Sequence, residues 1–312
     1  MPPSVSAAMV ARSRVVAEPR FAPVGSGSPG VLAWVEAFAA RSDLVVAPAD
    51  GSAPAVVLTA DVGAASVGAY GGGVFCWAGP GRLVYAARDG RLMCVPAVGG
   101  PPAMLHAGGR ASAPAASPDG VRVAFVVERD DSCEVVVLDL EGLFEPVTVS
   151  GGADYCFDPV WSPDGSRLAW HEWDFPFMPW DESRVVVCEL DGGRRATVAG
   201  GDGVAVGQPR FAPDGSALAF VSDATGWMNV WVARGDGTDA GPLLEETAEH
   251  AEPTWGPGQR SFAWSPDSDS IALNRNERGF GRLVVATVDG AQTHDVTRGW
   301  HHGLDWGGAG LA

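Results

Sequence analysis

Trp161-Ser162-Pro163-Asp164-Gly165, which leads into the segment Ser166 to Trp170, is the stretch that decides the fold. Close variants of this stretch begin at Ala116, Phe211 and Trp264. Their prolines stand at positions 118, 163, 213 and 266, so consecutive copies are 45, 50 and 53 residues apart. A turn motif that recurs at this period is typical of the blades of a β-propeller.

Each copy belongs to a unit of four short segments that are rich in Val, Leu, Trp and Ala. In the clearest unit the segments are 158–161, 167–170, 184–190 and 195–199. Turn residues separate them, and the dipeptide Asp-Gly, which suits tight turns that need a positive φ, occurs nine times in the chain. The sequence therefore predicts an all-β protein, a β-propeller of four-stranded blades.

Six blades are recognisable after an N-terminal segment of residues 1–17. We expect them near residues 18–60, 67–107, 111–150, 155–200, 206–248 and 251–298. Residues 299–312 look like the opening strand of a further, seventh blade. Because a propeller must close its ring to hide its sheet edges, three arrangements stay open. They are a six-bladed ring, an N-terminal segment that completes the last blade, and a chain cut short of its natural end.

The charge balance excludes several classes of function. All 21 basic residues are Arg, so the chain has no lysine for a phosphate-binding loop or a Schiff base. The 38 acidic residues give a net charge of −17. Because nucleic acids and anionic membranes are bound by clustered cations, we expect neither a nucleic acid nor a membrane as a partner.

Cysteine usage and hydropathy predict where the chain resides. The five cysteines form no Cys-x-x-Cys pair and leave one unpaired, which favours buried free thiols over a disulfide framework or a zinc cage. The N-terminal residues 1–16 contain no continuous apolar core of the length that a signal peptide needs. We therefore expect a cytoplasmic protein without a metal ion or other cofactor.

The repeat resembles the TolB-type propeller repeat, and two further segments resemble a more specific family. The segment 67–73, Val-Gly-Ala-Tyr-Gly-Gly-Gly, is similar to the Tyr-Gly-Gly-Gly segment of acylaminoacyl-peptidase-like members of the prolyl oligopeptidase family. The segment 173–181, which contains Met-Pro-Trp-Asp, resembles an insertion in the middle blade of the same peptidases. The resemblance covers the chain from about Glu18 onward.

In that family the propeller is an N-terminal lid over an α/β-hydrolase domain that carries the catalytic Ser, Asp and His. This chain contains no Gly-x-Ser-x-Gly nucleophile elbow. It also departs from the family at Gly68-Ala69, where members commonly carry His-Glu. The resemblance therefore implies a propeller without catalytic residues, whose partner is an α/β-hydrolase domain.

The candidate residues that face a substrate or a partner are Tyr70, in the segment 67–73, and a group around the insertion in the fourth blade. Its length exceeds that of an ordinary hairpin connection, and long loops on rigid scaffolds often carry function. Its carboxylates could hold a cationic peptide end, or its aromatic residues could cap the channel or pack on a neighbouring domain; we favour the packing role. The candidates are Tyr70, His171, Glu172, Trp173, Asp174, Phe175, Phe177, Met178, Trp180 and Asp181.

A metal site formed by His250, Glu252, His301 and His302 is a weaker interpretation. Adjacent residues of a strand point to opposite faces, so His301 and His302 do not readily share one ion. We interpret these histidines as structural.

These observations support three functional hypotheses. The first is a non-catalytic, substrate-gating propeller of a prolyl-oligopeptidase-type serine peptidase. The second is a stand-alone propeller that serves as a scaffold for a peptide or protein ligand. The third and weakest is a propeller enzyme that uses carboxylates at the channel mouth together with His171.

Overall fold

The computed structural model describes residues 13–23, 30–38, 41–66, 71–130, 132–308 and 310–312. Within these ranges six four-stranded antiparallel sheets stand in a ring, so the fold is a six-bladed β-propeller. The predicted fold class is thereby confirmed. The described residues contain no α-helix, and so none long and apolar enough to span a membrane.

In every blade the chain runs outward from the central channel, so the first strand lies innermost and the fourth outermost. The strands are β1 (Arg14–Phe21), β2 (Val31–Phe38), β3 (Arg41–Pro48) and β4 (Val56–Val57) in blade 1; β5 (Phe75–Trp77), β6 (Arg82–Ala86), β7 (Leu92–Pro96) and β8 (Ala103–His106) in blade 2; β9 (Arg110–Ala116), β10 (Arg122–Glu128), β11 (Cys133–Asp139) and β12 (Val147–Thr148) in blade 3; β13 (Tyr155–Trp161), β14 (Arg167–Trp173), β15 (Arg184–Glu189) and β16 (Arg195–Gly200) in blade 4; β17 (Val206–Phe211), β18 (Ala217–Ser222), β19 (Asn229–Arg234) and β20 (Gly241–Pro242) in blade 5; and β21 (Phe262–Trp264), β22 (Ser270–Glu277), β23 (Phe280–Thr287) and β24 (Thr293–Arg298) in blade 6.

The structure differs from the predicted organisation at both ends of the propeller. Blade 1 already begins at Arg14, which pairs with Phe38, so residues 14–17 belong to β1 and not to a separate segment. Near the other end, β25 (Trp306–Gly307) and β26 (Gly310–Leu311) pair with each other in a two-stranded sheet of their own. Among the described residues after β24, these two short strands pair only with each other and add no strand to a four-stranded blade.

The recurring turn motif is held by its own side chains. In blade 4 the Oδ1 atom of Asp164 accepts hydrogen bonds from the Ser162 hydroxyl (2.6 Å) and from the Ser166 backbone N–H (3.0 Å). The Ser162 Oγ in turn accepts the N–H of Arg167 at 2.9 Å, and Gly165 takes the positive φ that closes the turn, 69°. These donors lower the pKa of Asp164 to about 2. The motif is therefore structural, as the sequence indicates.

Tryptophans at the end of alternate inner strands join neighbouring blades in pairs. The indole N–H of Trp264 donates to the carbonyl oxygen of Arg210 in blade 5, at 3.0 Å. Trp161 donates in the same way to Ala115 (2.9 Å), and Trp77 to Arg20 (3.0 Å). Blades 1, 3 and 5 have Phe21, Ala116 and Phe211 at this position, which have no N–H to donate from their side chains. The variation between Trp, Phe and Ala in the repeat therefore follows the pairing of blades 1 with 2, 3 with 4, and 5 with 6.

The segment before β25 links blade 6 to blade 1. Asp305 accepts a hydrogen bond from the backbone N–H of Phe21 in β1 at 2.8 Å and forms an ion pair with Arg260, which precedes β21. Leu304 is buried and packs against Ala263 in β21. This segment therefore contributes to the closure of the ring within the described residues.

Candidate functional site

The connections between strands lie on two opposite faces of the propeller. Because each blade is an antiparallel meander, the links from second to third strands and those between blades share one face, which we call the loop face. The Pro-Asp-Gly turns lie on the other face, which we call the turn face. The insertion, residues 174–183 between β14 and β15, lies on the loop face.

The acidic residues of the insertion are engaged within the protein. Asp174 pairs with Arg184 at 2.6 Å and accepts the backbone N–H of Asp154 at 3.1 Å. Asp181 accepts the N–H of Met178 at 3.1 Å. These two carboxylates therefore stabilise the insertion. They do not form the rim of free carboxylates that the sequence analysis considered as a site for a cationic peptide end.

The aromatic residues of the insertion are divided between solvent and protein. Phe175 is 78% exposed and Phe177 is 43% exposed. Trp180 packs its ring on Trp255, with ring centroids 4.7 Å apart. Met178 is half-buried. The insertion thus presents two phenylalanine rings on the loop face while its tryptophan packs on the connection between blades 5 and 6.

Three predicted candidates lie in β14 and are buried rather than exposed beside the insertion. His171 is fully buried, edge-on to Phe157, and burial lowers its pKa to about 3. Trp173 stacks on Tyr155, and Glu172 accepts the indole N–H of Trp170 at 2.7 Å. His171 is therefore enclosed within blade 4 and does not lie exposed at the channel mouth, where the third hypothesis placed it. Another candidate, Tyr70, lies outside the described residues.

The histidines proposed above as metal ligands have other neighbours. His250 accepts the backbone N–H of Val230 through Nδ1 at 3.1 Å, and its Nε2 lies 3.0 Å from Glu246. The His302 ring packs edge-on against Trp300. In the part of the chain that the structure describes, no three His, Cys, Asp or Glu side chains are grouped so that they could hold a metal ion.

The central channel contains a cluster of charges that sequence reasoning missed. A cavity of about 310 Å³ is lined by three arginines and three carboxylates. Burial, together with the nearby charge of Arg260, lowers the pKa of Arg20 to about 10 and that of Arg210 to about 9. Burial raises the pKa of Glu18 and of Asp158. Because the three arginines are matched by three carboxylates, the cluster is buried without a large net charge.

The carboxylates of this cluster hold backbone that crosses the channel. Asp158 accepts the N–H of Gly258 at 2.6 Å, and Glu18 accepts the N–H of Val74 at 2.9 Å. A Cβ atom on Gly258 would lie 2.4 Å from the backbone nitrogen of Gly73. Blades 2 and 6 therefore meet across the channel, and the cluster is primarily a structural plug.

The position of these carboxylates depends on an irregularity of the inner strands. Glu18, Ala113, Asp158 and Gln208 all have positive φ, between 47° and 54°, and a proline follows each of them. The ladders shift register at the same points. The available sequence signal was the residue before a proline that recurs at this position, which is polar in three of the four copies.

A second cavity, larger than the one in the channel, opens on the loop face over blades 4 to 6. It has a volume of about 550 Å³ and is walled by five connections. Trp180, Trp227 and Trp300 supply aromatic rings, and Asp223, Glu249 and Glu252 supply carboxylates. Only Trp180 was among the predicted candidates, because the other residues come from connections that are distant in sequence. We call this cavity the acid–aromatic pocket.

Comparisons with known proteins agree with the described fold. No curated protein matches the chain. A puromycin-hydrolysing peptidase of Mycobacterium tuberculosis superposes with a TM-score of 0.81 at 26% identity, over 97% of this chain and 50% of its own. A puromycin hydrolase superposes with the same TM-score and the same identity, over 98% of this chain and 51% of its own. A prolyl endopeptidase superposes with a TM-score of 0.63 at 14% identity, over 90% of this chain and 42% of its own. At this identity the likeness shows the fold alone.

This chain thus spans about half the length of these two puromycin-hydrolysing proteins, and the matched half is their propeller region. The family model for the TolB β-propeller domain matches residues 134–297, more than half of the chain. The chain therefore belongs to the TolB β-propeller domain family.

Proposed function

We propose that this chain is the non-catalytic, substrate-gating propeller of a peptidase of the prolyl oligopeptidase family, and that its partner is an α/β-hydrolase domain. The observation that carries the proposal is the match of 97–98% of this chain to half of two puromycin-hydrolysing enzymes at 26% identity. The hydrolytic activity named for those proteins would then belong to a part that this chain does not match.

The exposed rings of the insertion support a docking role for the loop face. Phe175 and Phe177 are held there by a braced loop, since the Phe175 N–H donates to Asp154 at 2.9 Å. Large apolar groups that remain exposed on a rigid element are typical of interaction surfaces. The proposed compartment is the cytoplasm, which the five free cysteines support.

The non-catalytic part of the proposal is tested with a fluorophosphonate, which labels activated serines. We expect no change in the intact mass of the protein, because an activated serine needs a nucleophile elbow of the Gly-x-Ser-x-Gly type or an equivalent base, and this sequence contains no such elbow. The puromycin-hydrolysing peptidase serves as the positive control. Stoichiometric labelling of one serine would contradict the proposal.

The partner is tested by the reading frame downstream of the Ala312 codon and by the surface itself. A continuing frame that encodes an α/β-hydrolase with a Gly-x-Ser-x-Gly elbow is the expected finding, whereas a gene without one would favour a stand-alone scaffold. In this chain, replacing Phe175 and Phe177 together with serine should lower the binding of a hydrophobic dye. Leu143→Ser, at a residue 79% exposed on the turn face, is the matched control.

A further inference from the structure

Two of the five cysteines meet where blades 3 and 4 adjoin, a boundary that we call the 3–4 seam. Cys133 is the first residue of β11, and Cys156 is the second residue of β13. Both strands begin on the loop face, because β11 follows a link between second and third strands and β13 follows the link between the two blades. Both side chains belong to the apolar core that the two blades share, and both are free thiols.

The contact between these two cysteines is reciprocal. The backbone N–H of Cys156 donates to the Sγ atom of Cys133 at 3.3 Å, and this sulfur lies 3.6 Å from the carbonyl oxygen of Cys156. The Sγ atom of Cys156 in turn lies 3.7 Å from the carbonyl oxygen of Cys133. A disulfide joins cysteines whose Cα atoms are at most about 7 Å apart. Side chains as short as cysteine that each touch the other's backbone come from Cα atoms at about this separation.

Spacing within the sheets separates the other three cysteines. Cys76 and Cys94 both pair with Val84, one on each side, so two strand spacings of about 4.8 Å each lie between them. Cys188 lies four residues beyond the row of Cys156, which is about 13 Å along the sheet of blade 4. The fold therefore brings together the pair at the 3–4 seam and not the cysteines within blade 2 or within blade 4.

The two thiols of the seam differ in chemical character. The Cys156 thiol donates to the sulfur of Cys133, and this contact, together with the Cys156 N–H, lowers the pKa of Cys133. Burial and the nearby charges of Glu128 and Glu134 oppose this shift but do not cancel it. Cys133 is also the more exposed of the two, at 8% against 0%. Because the thiolate is the reactive form of a cysteine, Cys133 is the thiol that meets an oxidant first.

The seam lies just beneath the surface of the loop face. Asp154 and Tyr155, which directly precede Cys156, are both exposed. Asp154 also holds the insertion, since one of its carboxylate oxygens accepts the N–H of Phe175 at 2.9 Å. A covalent bond at Cys156 would therefore fix β13 to blade 3 two residues from the side chain that braces the insertion.

We propose that Cys133 and Cys156 are a site of reversible oxidation, at which hydrogen peroxide produces a disulfide that ties blade 3 to blade 4. The Cys133 thiolate attacks one oxygen of the peroxide, the O–O bond breaks, and Cys133 becomes a sulfenic acid. The released hydroxide takes the proton that Cys133 gave up and leaves as water. The sulfur of Cys156 then attacks the sulfur of Cys133, the S–S bond forms, and the sulfenic oxygen leaves as water with the proton of Cys156.

The electrons of this reaction balance. The two thiols lose two electrons, and the peroxide gains them as it is reduced to two molecules of water. A small dithiol returns the two electrons and restores both thiols. In a reducing compartment such a bond is transient and forms only under oxidation. The assignment concerns this chain alone and does not rest on a hydrolase partner.

Peptide mapping of the full chain tests the bond. The folded protein is treated with hydrogen peroxide, and the remaining thiols are then blocked with N-ethylmaleimide in denaturant. Trypsin leaves both cysteines in one peptide, residues 130–167, and a protease that cleaves after Glu141 separates them. We expect a tryptic peptide that is lighter by about 2 Da than its reduced form and whose two fragments part only after dithiothreitol. An oxidised protein without these linked fragments would overturn the proposal.

Serine variants identify the role of each thiol. Cys188→Ser, at a buried cysteine elsewhere in blade 4, is the control and should form the bond as the original protein does. Cys133→Ser and Cys156→Ser should both lose it, and thermal unfolding checks that each variant folds. Dimedone, which traps sulfenic acids, should label Cys133 in the Cys156→Ser variant and should not label Cys156 in the Cys133→Ser variant. Equal labelling of the two variants would refute the assigned order of reaction, whatever the outcome for a hydrolase partner.

Discussion

Replacing Trp264 by Phe tests whether the indole hydrogen bonds between paired blades stabilise the ring. Trp264 is 7% exposed, and its N–H donates to the carbonyl oxygen of Arg210 at 3.0 Å. Phenylalanine keeps most of the ring contact but loses the bond and leaves a buried carbonyl without this donor. A lost hydrogen bond with one buried partner left unpaired costs about 2 kcal/mol in the free energy of unfolding. For a chain of this length that corresponds to a Tm lower by about 3 °C.

The matched control is the same substitution at Trp231. Its indole N–H is buried and has no hydrogen-bond partner among the described residues. Trp231→Phe therefore removes an unsatisfied donor, which offsets the loss of ring area, and we expect the free energy of unfolding to stay within about 0.5 kcal/mol of the original protein. Urea denaturation and calorimetry of both variants measure the difference. Equal losses at the two positions would show that ring size, and not the bond between blades, determines the cost.

Two further substitutions test the buried histidine and the channel plug. Because burial depresses the pKa of His171 from 6.5 to about 3, the unfolded chain binds a proton that the folded one refuses, and stability falls as pH drops below about 6.5. From pH 7 to pH 5 the free energy of unfolding falls by about 2 kcal/mol on account of His171. This decrease should disappear in His171→Leu but persist in His302→Gln. Urea unfolding at both pH values measures it. Gly258→Ala, whose Cβ would meet the Gly73 backbone, should lower the free energy of unfolding by more than about 3 kcal/mol. Gly192→Ala, at a similar φ but with open space around it, should lower it by about 1 kcal/mol. Comparable losses for the two variants in urea denaturation would argue against a plugged channel.

The regular part of the fold was predictable because its signal is local. Asp164 caps its own turn through Ser166 and Ser162, so the motif works at whatever position it occurs in the ring. The turn motif occurs four times at a period of 45 to 53 residues. This repetition predicts the blades, since each repeated unit can bury its apolar side chains only against a neighbouring unit. The exchange of Trp264 for Phe211 between copies was visible, but its meaning depends on a carbonyl in the preceding blade.

The candidate site was predicted only in part, because its members meet through the ring and not through the sequence. Trp180 stood out within an unusual insertion. Trp227 lies in a short connection, and Glu249 lies in the long connection before β21, which has no motif that marks it as part of a site. His171 and Trp173 stood near the same insertion but belong to β14, where the alternation of a central strand inside a closed propeller makes both faces buried. Closeness in sequence to the insertion therefore did not predict which of these side chains are exposed.

The unusual features of this propeller concentrate where the repeat is broken. β21 has three residues, whereas the inner strands of blades 3 and 4 have seven. The second part of the connection before it, residues 251–261, is rich in Pro and Gly and leaves the sheet to cross the channel, where Gly258 meets Gly73. The same connection supplies Glu252 to the acid–aromatic pocket and Trp255 as the support for Trp180. Because regular blade positions are constrained by packing on two neighbours, only the irregular connection has the freedom to combine a plug, an aromatic support and an exposed charge.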